Sequence, residues 1–411
     1  MVKMARDTTT QAVGTAHAPA ASTDGASTDG ATSRQAALAR MAGVSTTPAA
    51  TFARTTLAEL ARVAGVNKST ASRALRGDSS IGSETRQRIR DLADELHYEP
   101  NVSARRLTHA RTEVLAFASH TFIQGRSEAD PFLVELLGAV MREAGDEGFD
   151  ILLCRPVSGP KEVNVYRRVV GGRHADGFIL MDLRPHDPRL PYLREQRFPH
   201  VLFGRPDEEL EMARSYPYPW VDVDNRSGAR LGVGHLIGLG RRRIAFLGGG
   251  ESYIAAHDRF TGYQDALADA GIPFDVALCA TPGISQEDGY RLTRDLLARP
   301  APPTAIFAFS DMLAVGAMRA VQEAGLVVGR DIPVMGFDGL GLGAYVTPQL
   351  TTIRQPLQQV GALLVRLLIA ALKGEAPQGI LLQPELVVRA STNADAADGS
   401  GPQGAHPERA S

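Results

Sequence analysis

The chain has 411 residues, 44 Lys and Arg against 46 Asp and Glu, a formal charge of −2 and two cysteines. That length exceeds one typical domain and suggests two or three, with room for sizeable cores. The longest apolar run, Ala362 to Leu372, is broken by Arg366 and falls short of the roughly 20 residues that span a bilayer, so no membrane partner is expected.

Residues 1–53 are rich in Ala, Thr, Ser, Gly and Asp, with Ser-Thr-Asp-Gly-Ala repeated at 22–26 and 27–31. Such a segment is expected to stay disordered, because it has too little apolar surface to bury. It also lacks the basic start and apolar block of a secretory signal, so a cytoplasmic location is expected. Neither Cys154 nor Cys279 has a Cys or His at metal-ligand spacing. Both are expected as reduced core residues, with no metal and no cofactor.

From 54 to 98 the pattern becomes helical. Leu57, Leu60, Ala61 and Ala64 recur at i, i+3, i+4 and i+7, which gives a short helix one apolar face. Gly65 then permits the positive φ of a sharp stop. Asn67 can cap a second helix to Leu75, in which Ala71, Ala74 and Leu75 turn inward while Lys68, Ser69, Ser72 and Arg73 project outward. A third helical pattern, Ile89, Leu92, Ala93 and Leu96, begins behind Ser83. This is a helix-turn-helix whose outward face suits a DNA major groove. Residues 54–111 carry 11 Arg and Lys against seven acids, a net of +4 that leaves −6 for the rest, so a basic module sits in an otherwise acidic chain.

Residues 99–111 read as a linker in which Asn101 can cap a short helix after Pro100. A helix so short is poorly populated alone and is expected to order only against DNA and a partner copy. Over 112–392, buried-strand runs alternate with helical segments. The first set is 114–118, 132–147, 150–154, 161–172, 177–181, 187–196 and 200–203. The second is 220–224, 226–239, 244–247, 258–270, 286–298, 305–309, 311–324 and 334–337. Such alternation builds parallel sheets, here two doubly wound lobes of α/β class with a cleft between them. Ligands bind beyond the carboxyl ends of strands in such sheets, where Phe309-Ser310-Asp311 and Phe337-Asp338 fall.

The residues Thr56-Leu-Ala-Glu-Leu-Ala61, Ala64-Gly-Val66, Ser69-Thr-Ala-Ser-Arg-Ala-Leu75, Leu96-His-Tyr-Glu-Pro-Asn101 and Ala104-Arg-Arg-Leu107 resemble the lactose-repressor family of transcription regulators. The resemblance continues to about residue 392 through Asp130-Pro-Phe132, Ala256-His-Asp-Arg-Phe-Thr-Gly-Tyr263, Gly336-Phe-Asp338 and Leu350-Thr-Thr-Ile-Arg-Gln355. It implies an N-terminal helix-turn-helix DNA-binding domain joined to a two-lobed effector domain like the periplasmic sugar-binding proteins, acting as a homodimeric repressor on double-stranded operator DNA. Either direction of the switch, induction or co-repression, is compatible with it. On that resemblance Asn67, Lys68, Ser69, Thr70, Ser72 and Arg73 contact DNA. Asn101, Ala104 and Leu107 belong to a hinge helix, with Leu107 as a minor-groove lever. Arg259 and Asp338 bind the effector, with Asp130, Phe132, Tyr253, Ile284, Ser310 and Asp311 around them and Phe132 and Tyr253 as stacking residues.

Ser310, Gly339 and Ile284 depart from residues common in the family, where Asn, a second Asp and an aromatic stand. The segments at Asp130, Tyr166 and Phe203 look most like members that sense glucosides, so a mono- or oligosaccharide effector is expected. Two enzyme readings fail on context. Gly339-Leu-Gly-Leu-Gly-Ala344 satisfies a dinucleotide fingerprint, but Pro348 interrupts the helix it needs and no acid follows at ribose-binding spacing. No hydrolase elbow or zinc motif occurs, and nothing in the sequence marks a carboxyl with a raised pKa. A sugar transport protein would need the missing export signal. Residues 393–411 lack leucine heptads, so no tetramerising coiled coil is expected.

Overall fold

The computed structural model describes residues 55–98, 111–119, 130–156, 159, 161–206, 219–249, 253–281 and 283–393. The chain divides into two compact units, Met1–Pro100 and Asn101–Ser411.

Among its described residues the small unit has three helices, α1 (Leu57–Val63), α2 (Lys68–Leu75) and α3 (Ser83–Glu95). Thr56 and Glu59 form a reciprocal capping box at the start of α1, with Thr56 N donating to Glu59 Oε2 at 2.8 Å and Glu59 N to Thr56 Oγ1 at 3.2 Å. Gly65 takes φ 67° at the turn. Leu60, Ala64, Ala74, Ile89 and Ala93 then meet in one core, with Leu92 and Leu96 packed against it. The apolar periodicity of the sequence thus maps onto the buried faces.

Among its described residues the large unit holds two six-stranded sheets. Its elements are β1 (Val114–Ala118), α4 (Pro131–Asp146), β2 (Asp150–Cys154), α5 (Val163–Gly171), β3 (Gly177–Leu180), α6 (Arg189–Glu195), β4 (His200–Phe203), β5 (Trp220–Val223), α7 (Asn225–Gly238), β6 (Ile244–Leu247), α8 (Ile254–Asp269), β7 (Cys279–Ala280), α9 (Gln286–Leu297), β8 (Ala305–Ala308), α10 (Asp311–Glu323), β9 (Val334–Asp338), β10 (Thr351–Arg354), α11 (Leu357–Leu372), β11 (Ile380–Leu382) and β12 (Glu385–Val387). Strand order is β11-β5-β4-β3-β1-β2 in the first lobe and β12-β10-β9-β8-β6-β7 in the second. All pairings are parallel except β10 with β12.

Each sheet is covered on both faces. Along β1, Leu115 and Phe117 enter a core with Leu136, Val140, Leu364 and Leu368, while Val114, Ala116 and Ala118 enter the opposite core with Tyr166, Phe178 and Leu190. The second lobe repeats the arrangement: Leu247 and Ile306 face α9 and α10, and Phe246 and Phe307 face α7 and α8. Three segments join the lobes, at 223–225, 355–357 and 382–385, because β11 pairs with β5 and α11 packs on the first lobe, whereas β10 and β12 belong to the second.

Several expected boundaries move for identifiable reasons. The strand expected to run through Asp224 stops at Val223, because the Asp224 carboxylate caps α7 by accepting from Ser227 N at 3.0 Å. Helix α8 begins at Ile254 rather than 258, where Ile254 packs on the first lobe's core and its N–H donates to Leu183 O at 3.2 Å. The apolar run containing Arg366 is α11, and Arg366 sits on its exposed side, donating from Nε to Glu143 Oε1 at 2.6 Å. Cys154 is buried as expected, but Cys279 is only half-buried, since β7 is a two-residue edge strand. Both thiols are free, and burial pushes each up to about 11. No helix among the described residues is long and apolar enough to cross a membrane.

Helices α9 and α10 pack so closely that glycine is required on both. A Cβ on Gly289 would stand 2.1 Å from Leu313 O, and one on Gly316 1.9 Å from Gln286 O. Gly316→Ala should therefore destabilise the large unit by about 1–3 kcal/mol. Urea unfolding measures this, and an unchanged midpoint would mean that the two helices part without cost.

Candidate functional site

In the small unit Asn67, Lys68, Ser69 and Arg73 are exposed, and Thr70 and Ser72 are half-buried, all on α2 or its cap. Asn67 Oδ1 accepts from Thr70 N at 2.7 Å and from Ser69 Oγ at 2.6 Å, which fixes the start of the helix. Arg73, one helical turn on, donates from Nε to Asp78 Oδ2 at 2.8 Å and from Nη2 to Ser80 Oγ. The Arg73 and Ser80 donors hold the Asp78 carboxyl well below the usual carboxylate range. Asn101, Ala104 and Leu107 lie outside the described residues.

The large unit has a cleft of about 590 Å³ between its lobes. At its deep end Arg259, on the second turn of α8, is almost wholly buried. Its guanidinium lies 3.7 Å from the Phe337 ring centroid and 4.5 Å from that of Phe309. It donates from Nε to Asn225 Oδ1 at 2.8 Å, and from Nη1 to Phe309 O at 2.6 Å and Asp338 Oδ1 at 3.4 Å. Gln355 Nε2 donates to the same Asp338 oxygen at 2.8 Å. Asp338 itself holds φ 126°, a conformation costing a non-glycine residue about 1–3 kcal/mol unless its surroundings enforce it. Gly339 follows at φ 75°, and a Cβ there would stand 2.6 Å from Arg354 Cα. The close passage of β10 therefore explains glycine at a position where the family often has a second acid.

A second polar group lines the cleft where β4 and β5 end. Asp222 accepts from Arg205 Nε at 3.0 Å and Val223 N at 2.8 Å, and Arg205 Nη2 reaches across to Asp258 on α8 at 2.8 Å. Asp130 caps α4 by accepting from Phe132 N at 3.0 Å, and the Phe132 ring stacks on Phe203 at 6.1 Å. Burial is the leading influence on these acids. It raises Asp130, lifts Asp222 to about 6 against the pull of Arg205, and raises Asp338 against the pull of Arg259 and Gln355. It also draws the Arg259 guanidinium below its ordinary value. Carboxyls with raised pKa are therefore present where the sequence marks none, because the desolvation that raises them comes from tertiary packing.

Of the eight residues expected around the effector, Asp130, Phe132, Tyr253, Arg259, Ile284, Ser310 and Asp338 line the cleft. Asp311 does not. It is fully buried, accepting from Leu340 N at 2.7 Å and Thr352 Oγ1 at 2.5 Å, so it braces the turn after Asp338 from behind. Ser310 takes the cap of α10 and faces the cleft in its place. Burial and the nearby Asp338 charge raise the Asp311 carboxyl as well. The sequence reading also passes over Arg205, Asp222, Asn225 and Gln355. The strand-end rule applied to β4 and β5 would have found the first three.

Comparison with known proteins accords with this geometry. A profile of the lacI family of bacterial regulatory proteins matches residues 56–101, and one of the periplasmic binding protein-like domain matches 233–392. The chain is 32% identical over 340 residues to the HTH-type transcriptional regulator CelR of Thermobifida fusca, covering 82% of this chain and 98% of that one. It is 34% identical over 342 residues to AglR of Rhizobium meliloti (strain 1021), covering 82% and 94%. Among solved structures, the lac repressor dimer bound to operator and the anti-inducer ONPF matches with TM-score 0.69 at 27% identity, over 83% of this chain and 99% of that one. The CelR–cellobiose complex matches with TM-score 0.61 at 30% identity, over 82% and 100%. With a matching helix-turn-helix and a cleft-bearing body aligned along most of the length of such regulators, the chain belongs to the lacI family of bacterial regulatory proteins and is a helix-turn-helix transcriptional regulator.

Proposed function

We propose that the protein is a cytoplasmic, homodimeric repressor of carbohydrate-utilisation genes whose operator binding is set by a neutral mono- or oligosaccharide held in the cleft. The observation that carries the effector class is the state of its cations. Five acids, Asp130, Asp182, Asp222, Glu287 and Asp338, line the cleft with three arginines, Arg205, Arg259 and Arg319. Every one of those arginines already pairs with a carboxylate: Arg205 with Asp222 and Asp258, Arg259 with Asp338, and Arg319 with Glu323. A phosphorylated metabolite would bring more negative charge to a wall where acids outnumber arginines by five to three. A polyol instead offers hydroxyls that both donate to carboxylates and accept from guanidinium, and a ring face that can lie on Phe132 or Tyr253. A cleft of about 590 Å³ has room for more than one sugar ring. The proposed role contains no catalytic step.

In the small unit the proposal gives Lys68 and Ser69 base edges, Arg73 a guanine, and Asn67, Thr70 and Ser72 phosphates, since Lys68, Ser69 and Arg73 are exposed on α2 while Asn67 caps it and Thr70 and Ser72 are half-buried. Arg73→Ala should cost about 1–3 kcal/mol at one base pair of an operator selected from random DNA. An equal loss on every operator variant would make Arg73 a phosphate contact only.

The effector assignment is tested by a thermal-shift screen of sugars, sugar phosphates and nucleobases. A bound sugar at 100 times its Kd should stabilise by about 2.7 kcal/mol. That shift should disappear in Asp338→Asn and Arg259→Lys, while both variants keep operator binding without ligand. A response confined to sugar phosphates or nucleobases, or a normal sugar response in both variants, would overturn it.

A further inference from the structure

The end of α2 carries a feature that the helix-turn-helix pattern alone does not demand. Gly77, at φ 77°, closes the helix with two reversed bonds, Gly77 N donating to Ala74 O and Asp78 N to Arg73 O, each at 3.1 Å. This closure brings the residue after the glycine back over the last turn, where an apolar contact commonly forms. Here the two residues brought together are Asp78 and Arg73, and the contact is an ion pair. Asp78 is itself fixed, because its Oδ1 accepts from Ser80 N at 2.9 Å and Ser80 Oγ at 2.5 Å, leaving Oδ2 for Arg73 Nε. Ser80 Oγ in turn accepts from Arg73 Nη2. The Nε–Nη2 edge of the guanidinium is thereby occupied, and the Nη1–Nη2 end keeps three N–H groups, while the side chain remains 45% exposed.

We propose that Asp78 and Ser80 are positioning residues for sequence reading. They hold the side edge of Arg73 so that its end edge is presented in one orientation to the N7 and O6 of a guanine. A long arginine free in solvent loses rotamer entropy when it docks, and a brace formed beforehand removes part of that loss. The same brace makes Arg73 a poorer general phosphate anchor, since one of its edges is already satisfied and an acid stands beside it. Asp78 thus trades non-specific affinity for discrimination.

This inference rests on the reading of Arg73 as a base contact, and a double-mutant cycle separates the two. The full chain and its Asp78→Ala, Arg73→Ala and doubly substituted forms are titrated with the selected operator, with its single-base variants and with random-sequence DNA. The brace predicts that Asp78→Ala loses about fivefold or more of its discrimination at the one base pair Arg73 reads, and that the loss disappears in the Arg73→Ala background. Binding to random DNA should hold or rise. Loss of that opposite response, with specific and non-specific affinity falling together, would overturn the inference, as would an Asp78 effect that adds fully to that of Arg73→Ala. If Arg73→Ala shows no base-pair preference at all, the base-contact reading fails first. Should Asp78→Ala not fold, Asp78→Asn, which keeps the turn with Ser80 and removes the charge, must show the same coupling to Arg73.

Discussion

The large unit depends on one buried ion pair. Arg259 and Asp338 are almost wholly buried, so their charged forms depend on the hydrogen bonds that neighbouring groups make to them. The groups that engage them come from the segments joining the lobes: Asn225 from the first crossing and Gln355 from the second. The pair therefore fixes more than a side chain. It ties two of the three crossings to the end of β9 and the start of α8, so a ligand that exchanges hydrogen bonds with it acts on the segments joining the lobes. The strained backbone at Asp338, braced from behind by Asp311 through Leu340, belongs to the same arrangement.

Arg205 forms a second link across the cleft, from the end of β4 to Asp222 in its own lobe and Asp258 in the other. Because Arg205 is partly exposed and lines the ligand space, this link can be exchanged at lower cost than the buried pair. Together they place one buried and one more accessible ion pair in the cleft wall. A differential affinity of ligand for two lobe arrangements is sufficient for switching in such a body.

Much of this architecture is legible in the sequence where burial is complete. Strands β1, β4 and β6 lie on the residues expected because a strand covered on both faces reads as an unbroken apolar run, and edge strand β2 lies where expected too although Asp150 and Leu153 are exposed. The elements that build the crossings are not legible. Thr351 and Thr352 read as half-polar until Arg389 O and Asp311 satisfy their hydroxyls, and β11 gains its meaning only by pairing Ile380 with Val221, far away in the chain. The same gap governs the site. Residues at strand ends, Arg205, Asp222 and Asn225 among them, are found by the topology rule, whereas Gln355 matters because it sits on a crossing that local pattern does not reveal. Asp311 is expected in the cleft wall but points back into its lobe, because the first residue of a helix can face either way and sequence does not say which neighbour needs its carboxylate.

Under the proposed function, ligand exchange at the Arg259–Asp338 pair is coupled to operator binding. The most direct measurement is the reciprocal one: operator affinity with and without a saturating sugar identified by titration, and sugar affinity with and without saturating operator. The two ratios should be equal and differ from one by about 5- to 150-fold, and Asp338→Asn should bring both close to one. A sugar that binds the cleft tightly yet leaves operator affinity unchanged, or a coupling that survives undiminished in Asp338→Asn, would contradict it.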